Sequence, residues 1–196
     1  MTLQLKNIYK SYNQKIVFTN LNLDFSKNTI YAALGNASSG KSTLLHIMAG
    51  LVLPDFGSIV STKKPSMVFQ EPRLIENIST LQNLTIVLPK SSHNTNKAKL
   101  LLSMSDMQDS THNPAAHLSK CKQKRLAICR SLMIEFDVLL LDEPFFNITD
   151  SVKQKMVDII LSYCKDKTIV VVSKNKETAN LLQAHTIYNL KSTNYN

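Results

Sequence analysis

The chain has 196 residues, 43% of them hydrophobic, so it is long enough to bury its own core as one domain with room for a small appended subdomain. It carries a formal net charge of +9 and a pI near 9.5, a field that favours anionic partners such as nucleotides, lipid headgroups or nucleic acid without choosing among them. No apolar stretch approaches the length of a membrane span, and the opening MTLQLKNIYK lacks a secretory profile, so the expectation is a chain made and kept in the cytosol. Cys121, Cys129 and Cys164 are odd in number and show no metal-ligand spacing, which argues against a disulfide framework and a zinc site. His46, His93, His112, His117 and His185 are scattered and read as solvent-facing or satisfied residues.

In chain order, β-rich segments are predicted at about 3–8 and 16–25, joined by a turn of Ser11, Asn13 and Gln14. A buried strand follows over 29–34. It leads directly into GNASSGKST at 35–43 and then the apolar-periodic run Leu44-Leu45-His46-Ile47-Met48-Ala49, a helix predicted to stop near Gly50. Gly35, Gly40, Lys41 and Ser42 fit the spacing G-x-x-x-x-G-K-[ST] of a phosphate-binding loop. Glycines let successive amides face an anion, Lys41 reaches the β- and γ-phosphates, and Ser42 ligates Mg²⁺. The positive end of the following helix adds to the same field.

Pro54, Asp55 and Gly57 predict a turn, and Met67-Val68-Phe69 predicts a buried strand that delivers Gln70 at its carboxyl end. From about 72 to 134 the texture changes to an inserted helical subdomain, with polar loops read at Ser91–Asn96 and Asp109–Asn113 and a helix at about 122–134. The apolar strand Val138–Leu141 then ends in Asp142-Glu143-Pro144, a helix is predicted at about 151–163, and a last apolar strand at Ile169–Val172. Continuous apolar strands alternating with helices predict an α/β fold with a mostly parallel sheet, whose ligands gather at the carboxyl ends of the strands. Because neighbouring residues of a strand point opposite ways, Asp142 and Glu143 are assigned different work: Asp142 in the Mg²⁺ shell, Glu143 polarising the attacking water.

The ordered series GNASSGKST, Val68-Phe69-Gln70-Glu71-Pro72, Leu118-Ser119 and LLLDEPFF resembles the nucleotide-binding subunit of an ATP-binding cassette (ABC) transporter, from the first strand to about Thr178. FQEPRL and the DEPF start are similar to bacterial importer ATPases serving nitrate, sulfonate and taurine uptake. The resemblance implies a P-loop NTPase fold over 1–196, ATP and Mg²⁺ as ligands, a membrane permease partner, a second ATPase subunit in a homo- or heterodimer, and a peripheral place at the inner face of the cell membrane. It implies that Tyr12 stacks on adenine, that Gly35, Asn36, Ala37, Ser38, Ser39, Gly40, Lys41, Ser42 and Thr43 cradle the phosphates, and that Gln70 contacts Mg²⁺ and the lytic water. It further implies that Ser119 reaches the γ-phosphate of ATP bound to the opposite subunit.

Three departures from the family pattern fall on the parts that close the ATP sandwich. Lys120 and Cys121 stand where two glycines allow close backbone approach to a phosphate, with Lys122 after them. Lys174 stands in place of a switch histidine and can only donate hydrogen bonds. Thr149 replaces an aspartate, with Asp150 one residue late. The resulting expectation is that ATP affinity survives better than turnover and that a second subunit supplies a standard signature. Three alternatives stand beside it: a hydrolysis-impaired regulatory half-site, a soluble ABC protein acting on nucleic acid, and a small-molecule kinase. No specific nucleic-acid partner is expected, since the lysines are spread along the chain without aromatic interleaving, and no acceptor segment for a kinase is visible.

Overall fold

The computed structural model describes residues 3–61 and 63–190, and these fall into two compact units. The first unit takes in Met1–Met67, Phe136–Glu143 and Asp166–Asn196, the second Val68–Glu135 and Pro144–Lys165.

In the first unit, β1 (Leu3–Tyr12) and β2 (Lys15–Phe25) form an antiparallel hairpin. Its tight connection is Asn13-Gln14, both at positive φ (47° and 66°), the backbone sign that a two-residue hairpin turn requires and that Asn tolerates. A third strand, β4 (Phe56–Val60), pairs with the other side of β1, giving the order β2-β1-β4. The turn read at Pro54, Asp55 and Gly57 is therefore shorter than predicted, since Gly57 is already in strand. At Gly57 φ is 94° and an added Cβ would lie 2.5 Å from Asn7 O, so the glycine there serves a close approach of two backbones.

The main sheet has the order β5-β6-β7-β3-β8, from β5 (Pro65–Val68), β6 (Val138–Asp142), β7 (Thr168–Ser173), β3 (Ile30–Leu34) and β8 (Thr186–Asn189). The pairings β3–β7, β3–β8 and β6–β7 are parallel, as the sequence pattern requires. Every residue of β6 and β7 is buried, which is why both read as continuous apolar runs without alternation. Two helices flank these strands. α1 (Lys41–Met48) contacts β6 and β7, and α6 (Lys176–Leu181) contacts β7 and β3. One apolar core joins both sheets and α1, drawing Leu5, Ile8 and Phe25 from the antiparallel side, Leu44, Leu45 and Ile47 from α1, and Leu140 and Val170 from the parallel side.

The second unit is helical: α2 (Thr80–Thr85), α3 (Ser92–Met104), α4 (Lys120–Ser131) and α5 (Asp150–Tyr163), with short 3-10 turns at Gln108–Ser110 and Ala115–His117. α2 begins on a full capping box, in which Ser79 Oγ accepts from Gln82 N and Gln82 Oε1 accepts from Ser79 N. The polar loop predicted at Ser91–Asn96 is instead the first turns of α3. Ser91 is its N-cap, accepting from Asn94 N at 3.1 Å, and Thr95 Oγ1 bonds back to Ser91 O, so a polar cluster that looks like a loop is the start of a helix. The strand read at Met67–Phe69 starts two residues earlier and ends one earlier, at Pro65–Val68. The helix read at about 122–134 runs from Lys120 to Ser131 because Ser119 caps it two residues sooner.

Leu140 is fully buried in the central parallel strand pair. Leu140→Ala is expected to lower stability by about 2–5 kcal/mol through lost transfer energy and an unfilled cavity. Denaturant unfolding of the two chains checks the figure.

Candidate functional site

Three strands that are neighbours in the sheet, β6, β7 and β3, send their carboxyl ends to one edge, and the sequence places a polar motif at each end. β3 leads into the loop 35–40. Gly35 N donates to Ser173 O at 3.2 Å, tying the loop's first residue to the end of β7. A Cβ on Gly35 would collide with Ser39 Oγ and lie 2.9 Å from Leu190 O, so the loop closes on itself only around glycine. Asn36, Ala37 and Ser38 are exposed at its tip, with Ser38 at φ 64°, while Ser39 is buried and its Oγ has no hydrogen-bond partner among the described residues.

Gly40 caps α1 at φ 84° with no side-chain hydrogen bond to the first turn, so the amides that open α1 at Lys41, Ser42 and Thr43 have no side-chain cap. Lys41 is buried on its stem and turns its ammonium onto Gly35 O at 2.7 Å and Asn36 O at 2.8 Å. Burial holds Lys41 below the ordinary lysine value; the Glu143 carboxylate opposes that fall, Lys174 adds to it, and Asp142 opposes it. These four charged groups therefore share one field. A bound polyanion would add to the side that keeps Lys41 charged.

Asp142 is the last residue of β6 and only 2% exposed. Glu143 departs from the prediction. The alternation of a strand does not reach it, because its φ is 43°, a left-handed conformation that ends the strand. Its backbone N still donates to Val172 O at 3.1 Å, and its carboxylate Oε2 accepts from Ser173 Oγ at 3.0 Å. Glu143 Oε1 is buried with no hydrogen-bond partner among the described residues, an acceptor left over for a donor the chain does not supply. Ser173 is a site residue that sequence reading missed. The signal was its place at the carboxyl end of an all-buried strand, as for Asp142. Lys174 follows it, fully at the surface.

Tyr12 is the last residue of β1, paired with Lys15, where the sequence reading placed it in the turn beyond. Its ring is 45% exposed with Lys10 Nζ 5.1 Å from the centroid, and Lys10 is itself fixed by Asp55 at 2.6 Å.

Gln70 and Ser119 belong to the second unit. Gln70 follows β5 by two residues and is exposed. Ser119 is the N-cap of α4, its Oγ accepting from Lys122 N at 3.3 Å, and Lys122 Nζ turns away to Ser110 Oγ at 2.8 Å. Lys120 is exposed and Cys121 half-buried in the first turn. Thr149 caps α5 without a side-chain bond to its amides, and Asp150 pairs with Lys153 at 2.7 Å.

The family model described as ABC transporter matches residues 18–146. The chain belongs to the ABC transporter family. It is 29% identical, over 82% of its length, to an aliphatic sulfonates import ATP-binding protein of Rhodococcus jostii. It is 35% identical, over 74% of its length, to a sulfate/thiosulfate import ATP-binding protein of Mesostigma viride. It spans 60% and 46% of those two relatives' own lengths. A lipoprotein-releasing system ATP-binding protein of Rickettsia bellii is 28% identical, with 96% of this chain and 95% of the relative covered. The fold matches a dimeric ATP-binding cassette described in a post-hydrolysis state with ADP and Pi at a TM-score of 0.88 and 24% identity, over 97% of this chain and 94% of that one. The parallel sheet, its flanking helices and the antiparallel β segment are thus those of an ABC ATP-binding domain, and the phosphate-loop and Asp142-Glu143 motifs both lie inside the matched span.

Gly40 combines positive φ with crowding, since an added Cβ would lie 2.6 Å from Val17 Cγ1 and 2.7 Å from the Phe18 ring. Gly40→Ala is therefore expected to cost about 2 kcal/mol or more, from left-handed strain and overpacking together. The loss is read as a lower midpoint in chemical denaturation.

Proposed function

We propose that this chain is the ATP-binding, ATP-hydrolysing subunit that energises an ABC membrane transporter, with import as the direction of transport. The observation that carries the reading is the junction at Gly40, where a helix start without a side-chain cap follows a glycine-closed loop and the Lys41 ammonium folds back onto that loop's carbonyls. In this reading the amides of residues 35–43 and Lys41 hold the phosphates of ATP, and Tyr12 stacks on the adenine. Ser42 and Asp142, both in the first unit, would hold Mg²⁺, oxygen donors that suit a hard cation keeping several waters; the role proposed for Gln70 toward that ion comes from the family resemblance. The ion would neutralise charge on the phosphates. Glu143 then orients the attacking water, consistent with its unpaired buried Oε1.

Ser119 is assigned to the γ-phosphate held by a second ATPase subunit. The insert at about 72–134 is assigned to passing the closure to a membrane permease, which places the chain at the inner face of the cell membrane. Import is supported by the two relatives named as import ATP-binding proteins. Co-purification with the permease and transport assays in vesicles would decide direction, since the Rickettsia relative is named for a releasing system.

A second reading, a half-site that hydrolyses slowly unless paired with a subunit of standard signature, is favoured by particular residues. Lys120 and Cys121 put side chains where a backbone must approach a phosphate, and Lys174 offers donors without an acceptor. The purified chain alone is then expected to release phosphate below roughly 1 s⁻¹, under the usual enzyme range. Lys120→Gly and Cys121→Gly together with Lys174→His raise that rate, as a phosphate-release assay would register. Lys41→Ala is expected to weaken ATP binding at least tenfold, about 1.4 kcal/mol, by calorimetry; affinity equal to that of the native chain would refute the proposed site.

A further inference from the structure

The segment that leaves β5 and carries Gln70 has no regular secondary structure over 69–73. Yet four of its carbonyls are taken by two cations of α4. Lys124 Nζ donates to Phe69 O at 2.9 Å and to Gln70 O at 2.8 Å. Arg130 donates through one guanidinium nitrogen to Pro72 O at 3.0 Å and Arg73 O at 2.9 Å. These are short, charge-assisted bonds, and Lys124 is 2% exposed, so the first pair is made out of water.

The spacing suits the task. Six residues of helix separate Lys124 from Arg130, a rise of about 9 Å. A three-residue step of chain spans at most about 10 Å; the segment bends at Gln70 and Glu71 and still offers one carbonyl pair to each cation. Arg73 helps to present its carbonyl by adopting φ 46°, and its guanidinium lies 3.9 Å over the Phe69 ring, closing the segment on itself. These bonds grip backbone carbonyls. The Gln70 side chain remains free to line a cavity of about 440 Å³ beside Arg73, Lys120 and Gln123.

We propose that Lys124 and Arg130 are positioning residues that fasten the backbone on both sides of Gln70 to α4, so that Gln70 and the helix headed by Ser119 move as one body. The consequence for hydrolysis rests on the function proposed above for Gln70; the clamp itself does not. Lys124 touches neither nucleotide nor water in that scheme. It acts through Gln70.

The test uses the full chain with Lys124→Met, which keeps the stem and removes the donors, Arg130→Met, and Lys124→Arg, which keeps charge and donors. Amide hydrogen exchange at Phe69, Gln70, Glu71 and Arg73 is expected to quicken about tenfold in each methionine variant and to return to the native rate in Lys124→Arg, while the amides of β6 and β7 stay unchanged. ATP affinity holds and kcat falls about tenfold. Unchanged exchange at 69–73 in Lys124→Met, or equal quickening in β6 and β7, overturns the proposal. If the native chain turns over no ATP with or without a second subunit, local quickening still supports the clamp and only the catalytic role of Gln70 falls.

Discussion

The parallel pairing of β6 and β7 with β3 is the constraint on which the first unit depends. Two strands buried along their whole length must satisfy every backbone group through their neighbours, since no water reaches them. That pairing fixes the register, for instance Leu141 opposite Val171 and Ala33 opposite Val172. Once the register is fixed, the carboxyl ends come out level, and Gly35, Asp142, Glu143 and Ser173 become neighbours whatever their distance in sequence. The hydrogen bonds Gly35 N to Ser173 O and Ser173 Oγ to Glu143 Oε2 are consequences of that alignment.

At this edge the chain accepts local cost. Glu143 sits in a left-handed conformation without being glycine, Ser39 and Glu143 each keep a buried oxygen without a hydrogen-bond partner among the described residues, and burial lowers the pKa of Lys41. A core of this quality elsewhere in the unit is what lets such a cluster persist. The buried oxygens of Ser39 and Glu143 call for polar partners that the described residues do not supply, and the Lys41 ammonium favours an anion; together they support the function proposed for the family member.

The second unit solves a different problem. Three of its four helices are begun by side chains, with Ser79, Ser91 and Ser119 each accepting from an amide of the turn they cap. Its irregular stretch at 69–73 is held by Lys124 and Arg130 in place of a ladder. Cations that sequence reading counts only as part of a diffuse positive field are here hydrogen-bond donors to carbonyls. Part of the +9 charge therefore serves the chain's own backbone.

Much of this was legible in residues alone. The phosphate loop shows in its glycine spacing, the buried strands in their unbroken apolar runs, and the family in the order of its motifs, because these depend on local backbone freedom and on burial on both faces. Tertiary structure decided what depends on partners far away in sequence. It kept the amide of Glu143 on Val172 O of β7 although Glu143 has left the strand at φ 43°. It also brought Ser173 to Glu143 and Lys124 to Gln70 O across 30 and 54 residues. No sequence period records those meetings, because a hydrogen bond between distant residues is created only when packing brings its two ends together.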